Sequence, residues 1–227
     1  MKTQSYWSHT FIPELVRPDG TTFDFGVNNG GFCNFVAPLC QEVIGFEPDP
    51  NLFEALSVPK NVTVYRKALA AKRGLVNLNV NSQKCSSLHY SDRYSRRVQA
   101  EAVTLEDAIA TARSERIEMV KMDIEGEETA VLREAPALVL QRIVQITVEF
   151  HDFLDSTHVP RIEAILDRMR SLNFHIINIS LRHHADVLCI NTKALPLSMI
   201  ARAQLQASKL AQAAVRVPRR HLLGLPG

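Results

Sequence analysis

The feature that most constrains this chain is a short apolar strand that carries an acid and runs into a glycine-rich turn. Residues 23–31 form this strand and turn, and a second short strand over residues 43–46 leads directly into Glu47. Glycine lets a backbone approach a ligand closely, and an acid at the end of the second strand can accept both ribose hydroxyl protons. The separation of Gly26 and Glu47 is close to the roughly 20 residues of such a unit. The pattern predicts a nucleoside cofactor on an α/β sheet.

The spacing of the glycines indicates which nucleoside is bound. A dinucleotide fingerprint reads G-x-G-x-x-G and holds a pyrophosphate at a helix N-terminus, whereas this turn reads Gly26-x-x-x-Gly30-Gly31. Asp24 stands two residues before the first glycine, where its charge would repel a pyrophosphate. It suits a cationic ligand such as S-adenosylmethionine (SAM), which carries a sulfonium and an amino group and no phosphate. An acidic turn in an unrelated α/β protein is the alternative interpretation.

Strands that alternate with helices predict the rest of the fold. Further strands are expected over residues 62–65, 75–80, 118–122, 143–150, 174–179 and 187–190, with helices over residues 30–39, 51–56, 127–133 and 160–172. This order implies a parallel sheet with right-handed crossovers, closed by an antiparallel pair of last strands. Ligands of such sheets bind beyond the carboxyl ends of the strands. The side chains at these ends are Asp24, Glu47, Asp123, Glu149 and His151.

Five motifs in order and in register over roughly residues 22–192 resemble the FkbM-type family of SAM-dependent methyltransferases. The motifs are D-F-G-V-N-N-G (24–30), G-F-E-P-D-P (45–50), V-T-L-E-D (103–107), V-K-M-D-I-E-G-E-E (120–128) and V-E-F-H (148–151). The resemblance implies a class I (Rossmann-like) methyltransferase fold, which is a three-layer α/β sandwich with a mostly parallel seven-stranded sheet and an antiparallel closing strand. It also implies methyl transfer to a hydroxyl of a sugar, polyketide or related metabolite. The chain departs from the family at Val27, which is usually a small residue, and at Asn29, which is usually apolar.

The candidate cofactor and substrate residues come from these motifs. Glu47 is the expected ribose ligand, and the resemblance adds contacts at the turn, on the adenine side and beside the transferred methyl group. The cofactor set is Asp24, Gly26, Asn28, Gly30, Glu47, Ala68 and Asp123. The polar residues Ser86, Ser87 and His89 are expected to border the acceptor site, the alternative being an ordinary surface loop.

Methyl transfer to a hydroxyl requires a general base or a metal that lowers the hydroxyl pKa. His151 is the expected base, since it titrates near neutral pH and directly follows the fifth strand of the sheet. Asp123 would orient the acceptor, act as the base or bind a metal, and Glu149 would line the pocket because alternation puts it on the side of His151. Asp123, Glu149 and His151 could also hold a divalent cation such as Mg²⁺. The alternatives are a loop histidine and a helix-capping aspartate.

Length and composition predict one methyltransferase domain over residues 21–192. Residues 1–20, with two prolines, are expected to be an irregular N-terminal arm or lid over the cofactor turn, and residues 193–227 a basic C-terminal helix and tail. The four cysteines lack C-x-x-C spacing and indicate reduced thiols. The N-terminus lacks an apolar leader, and no run of about 18 apolar residues is present. A cytoplasmic location is therefore expected.

Charge divides the chain into an acidic body and a basic tail. Residues 193–227 hold six of the 26 basic side chains and none of the 24 acidic ones, which leaves residues 1–192 with a net charge of −4. An acidic body argues against nucleic acid as the main partner. Residues 197–216 lack breakers and predict a helix that packs on the body or on a second subunit, as in a homodimer. Contact of this basic helix with a membrane surface is the less favoured alternative.

These observations together predict a SAM-dependent O-methyltransferase that acts on a hydroxyl of a sugar or related metabolite. Two other functions stay open at this point. N-methylation of a small molecule would need no strong base. A methyltransferase-like binding module without activity would have no need of Asp24, Glu47, Asp123 and His151, so their presence argues against it.

Overall fold

A computed structural model describes residues 1–80, 86–87, 96–153, 155–180, 183–196, 198, 204 and 205. The strands are β1 (Gln4–Tyr6), β2 (His9–Phe11), β3 (Thr21–Phe25), β4 (Glu42–Phe46), β5 (Val62–Tyr65), β6 (Ala68–Leu69), β7 (Gly74–Val80), β8 (Ser86–Ser87), β9 (Arg96–Val103), β10 (Ile117–Met122), β11 (Ile143–Val148), β12 (Phe174–Asn178) and β13 (Val187–Asn191). The α-helices are α1 (Gly31–Val36), α2 (Pro50–Glu54), α3 (Leu105–Ile109), α4 (Glu128–Glu134), α5 (Ala137–Gln141) and α6 (Val159–Ser171).

A seven-stranded sheet forms the centre of the protein in the order β12–β13–β11–β10–β3–β4–β5. All neighbours are parallel except β13, which runs antiparallel to both β11 and β12. Phe25 is in register with Phe46 of β4 and with Met122 of β10, so the ends of the three strands meet at one edge. This confirms the predicted class I methyltransferase fold with its antiparallel closing strand.

The two faces of the sheet are covered differently, and strand alternation explains how. Phe23 and Phe25 point to one face, where they pack with apolar residues of α3, α4, α5 and α6. The other face carries α1 together with Phe11 and Val27, and it is the face on which Asp24 meets Cys33 of α1. The protein therefore has three layers, and Asp24 of the central strand β3 lies under α1.

The N-terminal segment is more regular than expected. Residues 1–20 were predicted to be irregular, but β1 and β2 pair as an antiparallel hairpin. Phe11 and Ile12 are fully buried in two different clusters of the core, and Asp186 accepts hydrogen bonds from the backbone and hydroxyl of Thr10. Strands of three residues are too short to give a period-two signal, which explains why the sequence pattern did not indicate them.

A second, four-stranded sheet in the order β6–β9–β7–β8 stands beside the first. Strand β7 matches the prediction over residues 75–80, whereas β9 was not predicted. The inward-facing residues of β9 include Ala100 and Ala102, and alanine is a weak indicator of a strand. Helix α3 begins with a capping box, in which the side chains of Thr104 and Asp107 each accept a hydrogen bond from the backbone N–H of the other residue.

The C-terminal segment is described at few positions. Residues 204 and 205 are helical, and Leu205 is fully buried against Ile12, Leu15 and Ile177. At this point the segment packs on the body, while most of the helix predicted over residues 197–216 lies outside the described residues. Within the described part of the chain, no helix has the length and apolar content needed to cross a membrane. Cys33, Cys40 and Cys189 are buried free thiols.

Candidate active site

The glycine-rich turn after β3 is shaped by its contact with the loop after β10. Gly26 has a φ of +80°, and a Cβ at this position would lie 1.8 Å from the carbonyl oxygen of Asp123. Both Gly26 and Val27 donate their N–H groups to the carbonyl of Phe46. A side chain at residue 26 would force the two loops apart. The close contact with Asp123 therefore requires glycine at this position.

Val27, the position at which the chain departs from the family pattern, is accommodated by the neighbouring strand. Its side chain is buried, and a Cβ on Gly45 of β4 would lie 2.6 Å from a methyl group of Val27. Gly45 therefore makes room for the larger residue. At the second departure, the side chain of Asn29 accepts a hydrogen bond of 3.0 Å from the N–H of Gly31 and closes the turn.

Glu47 lies directly behind the turn and is 3% exposed. One carboxylate oxygen accepts the N–H of Asn28 at 2.7 Å, and the other accepts the N–H of Asp49 at 2.9 Å. Burial raises the pKa of Glu47 to about 7, although these two hydrogen bonds act against the rise. Each carboxylate oxygen has a second lone pair, so the group retains the capacity to accept two further donors such as a ribose diol.

Beneath the turn, a buried ammonium group neutralises Asp24. Lys121 Nζ lies 3.2 Å from Asp24 Oδ1 and donates to the carbonyl oxygens of Phe25 at 3.2 Å and Gly26 at 2.6 Å. The thiol of Cys33 donates to the other oxygen of Asp24 at 3.1 Å. Asp24 is fully buried, and the cation it contacts belongs to the protein itself. In this structure Asp24 contacts Lys121 and Cys33 beneath the turn, and a direct contact of its carboxylate with a ligand stays a prediction.

His151 stands among carboxylates at the edge of the sheet. Its Nε2 lies 3.4 Å from Glu125 and 3.7 Å from Asp123, while its Nδ1 lies 3.4 Å from Glu128. Burial alone would lower the pKa of His151, but these carboxylates outweigh it and raise the pKa to about 10. The carboxylates around His151 therefore favour its imidazolium form.

Asp123 is the centre of this edge. Lys121 Nζ lies 3.7 Å from its Oδ2, and the same oxygen lies 3.4 Å from Nε2 of His9 in the N-terminal hairpin. Burial would raise the pKa of Asp123, but Lys121 and both histidines outweigh it and hold the pKa well below its ordinary value. Asp123 is thus a carboxylate throughout the neutral range, and it is partly open to solvent.

Glu149 is held by the hairpin and not by His151. Ser8 donates a short hydrogen bond to Glu149 Oε2, and His9 Nε2 lies 3.8 Å from the same oxygen. The three residues expected to bind a metal together, Asp123, Glu149 and His151, do not form one ligand set. Among the described residues, those whose ligand atoms all lie within 4.8 Å of one another are His9, Asp123 and Glu149 in one group and Asp123, Glu125 and His151 in another.

The remaining predicted residues lie at different distances from this edge. Gly30 has a φ of +81° and caps α1. Ala68 is buried in β6, where it pairs with Ala102. Ser86 and Ser87 form β8 beside the end of β7, and the structure describes their backbone pairing only. His89 lies outside the described residues.

Several residues of the site were not predicted, and some left a signal in the sequence. Lys121 is the one charged residue within the otherwise apolar run 119–122, and a buried charge requires a partner. Glu125 and Glu128 belong to the quoted acidic motif but were given no role. Ser8 and His9 left no usable signal, because only the folded hairpin brings them to the end of a strand more than 100 residues away.

Three solved structures that superpose on this chain share little sequence identity with it. The FkbM methyltransferase of Methylobacillus flagellatus superposes with a TM-score of 0.49 and 17% identity over 77% of this chain and 44% of that one. An rRNA methylase of Streptococcus thermophilus gives 0.47 and 13% over 79% and 90%. Human methyltransferase-like protein 13, solved with S-adenosylhomocysteine (SAH), gives 0.47 and 11% over 89% and 86%.

The sequence itself gives a more specific relationship. No curated protein matches the chain. The family model described as the methyltransferase FkbM domain matches residues 24–176, which include the turn, Glu47, Asp123, Glu149 and His151. The present chain spans less than half the length of the M. flagellatus protein. The match covers two thirds of this chain, and the chain belongs to the FkbM family of methyltransferases.

Proposed function

We propose that the protein transfers a methyl group from SAM to a hydroxyl of a sugar or related metabolite. The observation that carries the proposal is the position of Glu47, Asp123 and His151 at one edge of the sheet in a member of the FkbM family. Glu47 would bind the ribose, the turn at residues 26–30 would hold the methionine part of SAM, and Asp123 would face the transferred methyl group.

Electrostatics supports a cationic cofactor at this edge. Asp123, Glu125, Glu128 and Glu149 lie around His151 and His9, and Lys121 shares its single charge between Asp24 and Asp123. A sulfonium placed beside these carboxylates is stabilised before transfer, and the neutral thioether product is not. The site therefore suits SAM better than a phosphate-bearing nucleotide.

His151 is our candidate for the general base. It lies close to Asp123, and because the surrounding carboxylates favour its imidazolium form, it must release this proton before it can accept one from a hydroxyl. A SAM sulfonium and the imidazolium proton compete for the same carboxylates, which means that bound SAM lowers the pKa of His151. Amine acceptors would need no such base, and this difference separates O-methylation from N-methylation.

Calorimetric titration with SAH tests the cofactor. We expect micromolar binding to the wild type and loss of binding in Glu47→Ala. Glu54→Ala is the matched control, because Glu54 is an exposed residue in the same segment and its variant should bind like the wild type. If the wild type does not bind SAH, the proposal of a SAM-dependent enzyme is wrong.

Methyl transfer from radiolabelled SAM to panels of saccharides, small amines and RNA tests the acceptor. We expect label in a saccharide and at least a 100-fold loss of turnover in His151→Ala with SAH affinity retained. Label in the amines with full activity of His151→Ala would favour N-methylation. SAH binding without transfer to any panel would favour a binding module.

A further inference from the structure

The N-terminal hairpin brings a histidine to two carboxylates at the edge of the sheet. We propose that His9, Asp123 and Glu149 bind a divalent first-row transition cation such as Mn²⁺ or Zn²⁺. The ligand atoms would be His9 Nε2, Asp123 Oδ2 and Glu149 Oε2, which lie within 4.8 Å of one another. This set differs from the one expected from the sequence, because its nitrogen ligand comes from the hairpin and not from His151.

The separations between these atoms fit a shared ion better than direct hydrogen bonds. His9 Nε2 lies 3.4 Å from Asp123 Oδ2 and 3.8 Å from Glu149 Oε2. Side-chain hydrogen bonds to nitrogen are ordinarily ~2.7–3.2 Å long. Ligand atoms bound to one ion at ~2.0–2.2 Å lie about 3–3.6 Å apart when their bonds meet at octahedral or tetrahedral angles. Small movements of the side chains would therefore complete the coordination.

His9 provides a second, independent observation. The residue is 4% exposed, so its imidazole is almost completely removed from solvent. The ring packs edge-on against Phe32, with centroids 5.8 Å apart, and this packing directs Nε2 toward the carboxylates. Nε2, the nitrogen that faces the two carboxylates, lies 3.4 and 3.8 Å from them, beyond ordinary hydrogen-bond length, and a cation shared with them would give this buried atom a bonded partner.

The charge at this position also favours a cation. Asp123 and Glu149 bring two carboxylate oxygens close together, and the ammonium of Lys121 contacts only the first of these residues. Mixed imidazole and carboxylate ligands suit Mn²⁺, Fe²⁺ or Zn²⁺ more than Mg²⁺, which prefers oxygen ligands and water. Asp123 and Glu149 are partly exposed, so water or an acceptor oxygen can fill the open positions.

A cation at this site would contribute to catalysis in a specific way, and this part of the inference rests on the proposed function. An acceptor hydroxyl bound to the ion would have a lowered pKa and would be positioned beside Asp123. The hydroxyl proton would pass to solvent, the oxygen would attack the methyl carbon of SAM, and the sulfonium would leave as the neutral thioether of SAH.

Metal binding can be measured without cofactor or acceptor, so its outcome is independent of the methyltransferase assay. Chelator-treated protein is titrated with Mn²⁺ alone, and free Mn²⁺ is followed by electron paramagnetic resonance. We expect one site in the wild type and a loss of affinity of at least about 100-fold in His9→Ala, since even an outer-shell partner is worth about 10- to 100-fold. His158→Ala is the matched control, because His158 is an exposed histidine 3.8 Å from Asp155.

Two further variants decide between the neighbouring groups of ligands. Glu149→Gln keeps the size of the side chain and should also lose the ion, which covers the case in which His9→Ala does not fold. His151→Ala should retain the ion and, in pulsed spectra, its coupling to one imidazole nitrogen. Retention by His9→Ala with loss in His151→Ala would overturn the proposal in favour of Asp123, Glu125 and His151. Absence of both Mn²⁺ and Zn²⁺ binding in the wild type would overturn it altogether.

Discussion

If Glu47 binds the ribose as proposed, we expect cofactor affinity to depend on pH near neutrality. Burial raises the pKa of Glu47 to about 7, and only the ionised form can accept both ribose hydroxyls. SAH should therefore bind with its full affinity above this pKa and more weakly as the pH drops through it. Its affinity should be about tenfold lower at about pH 6 than at about pH 8. Calorimetry with SAH at several pH values checks this, and a wild type whose pH dependence equals that of Glu47→Gln would contradict it.

Lys121 should be essential for stability because Asp24 is fully buried. Burial would lower the pKa of Lys121, but Asp24 and Asp123 outweigh it and raise the pKa. Lys121→Met leaves Asp24 as a buried charge without this partner and should lower the free energy of unfolding by about 3–5 kcal/mol. Adding Asp24→Asn should restore most of this loss, which urea denaturation of the single and double variants can measure.

A surface ion pair provides the control for this measurement. Lys67 pairs with Glu101 at 2.7 Å in a more exposed position, and Lys67→Met should cost less than about 1 kcal/mol. Equal effects of the two lysine substitutions, or a double variant as unstable as Lys121→Met alone, would contradict the role given to Lys121.

At the level of single residues, the sequence predicted positions better than contacts. Glu47, Asp123 and His151 follow the strands that the pattern indicated, because a strand end is set by local sequence. The partner of Asp24 was missed because Lys121 lies on another strand, and only the parallel register of β3 and β10 brings the two together. The buried charges of the site are therefore defined by the sheet and not by the motif.

Among the elements, the N-terminal hairpin packs closely against the glycine-rich turn at Gly31. A Cβ on Gly31 would lie 2.1 Å from the hydroxyl oxygen of Tyr6, whose ring packs between Phe32 and Phe35. Gly31→Ala should thus displace the hairpin and cost about 1–3 kcal/mol of stability. Tyr6→Phe removes the obstructing atom, so the double variant should recover part of the loss in thermal unfolding. If the double variant recovers no stability, the loss in Gly31→Ala has a cause other than the contact with Tyr6.

The hairpin also carries a natural reporter. Trp7, the single tryptophan of the chain, stands at its tip and is 77% exposed, next to Ser8 and His9. Because Ser8 and His9 contact Glu149 and Asp123, we expect SAH or Mn²⁺ binding to change the emission of Trp7. Fluorescence titration checks this, with Trp7→Phe as the background control. Emission that stays constant while calorimetry records binding would show that the hairpin does not respond to the site.

Element prediction succeeded where an apolar pattern was long and failed where strands were short or rich in alanine. Strands β4, β10 and β11 are buried over almost their whole length and consist mainly of apolar residues, which made them recognisable in the sequence. Strands β1 and β2 have three residues each, and β9 alternates alanine with polar residues. Their positions come from pairing and tertiary packing, which a single sequence reports poorly.

The whole molecule should be stabilised by its cofactor, because the site is assembled from segments that are distant in the chain. SAH at about 100 times its dissociation constant should add about 2.7 kcal/mol to the free energy of unfolding. For a protein of this size, that corresponds to a rise in Tm of roughly 5–10 °C. Differential scanning calorimetry of the wild type and Glu47→Ala measures the rise in Tm. An equal rise in both proteins would contradict the proposed contact between Glu47 and the cofactor.

The backbone contact between Gly26 and Asp123 has a consequence for the order of the reaction. Through this contact, the loop proposed to bind SAM and the loop proposed to face the acceptor cannot move independently. Lys121 connects the same two loops, because it donates a hydrogen bond to Gly26 and forms an ion pair with Asp123. Two ligands that act on these loops are thermodynamically linked, and the linkage is reciprocal. If SAM strengthens acceptor binding tenfold, which is about 1.4 kcal/mol, then the acceptor strengthens SAM binding by the same factor. Loss of the sulfonium charge on methyl transfer would remove part of that mutual stabilisation, so the chemical step itself would promote release of both products.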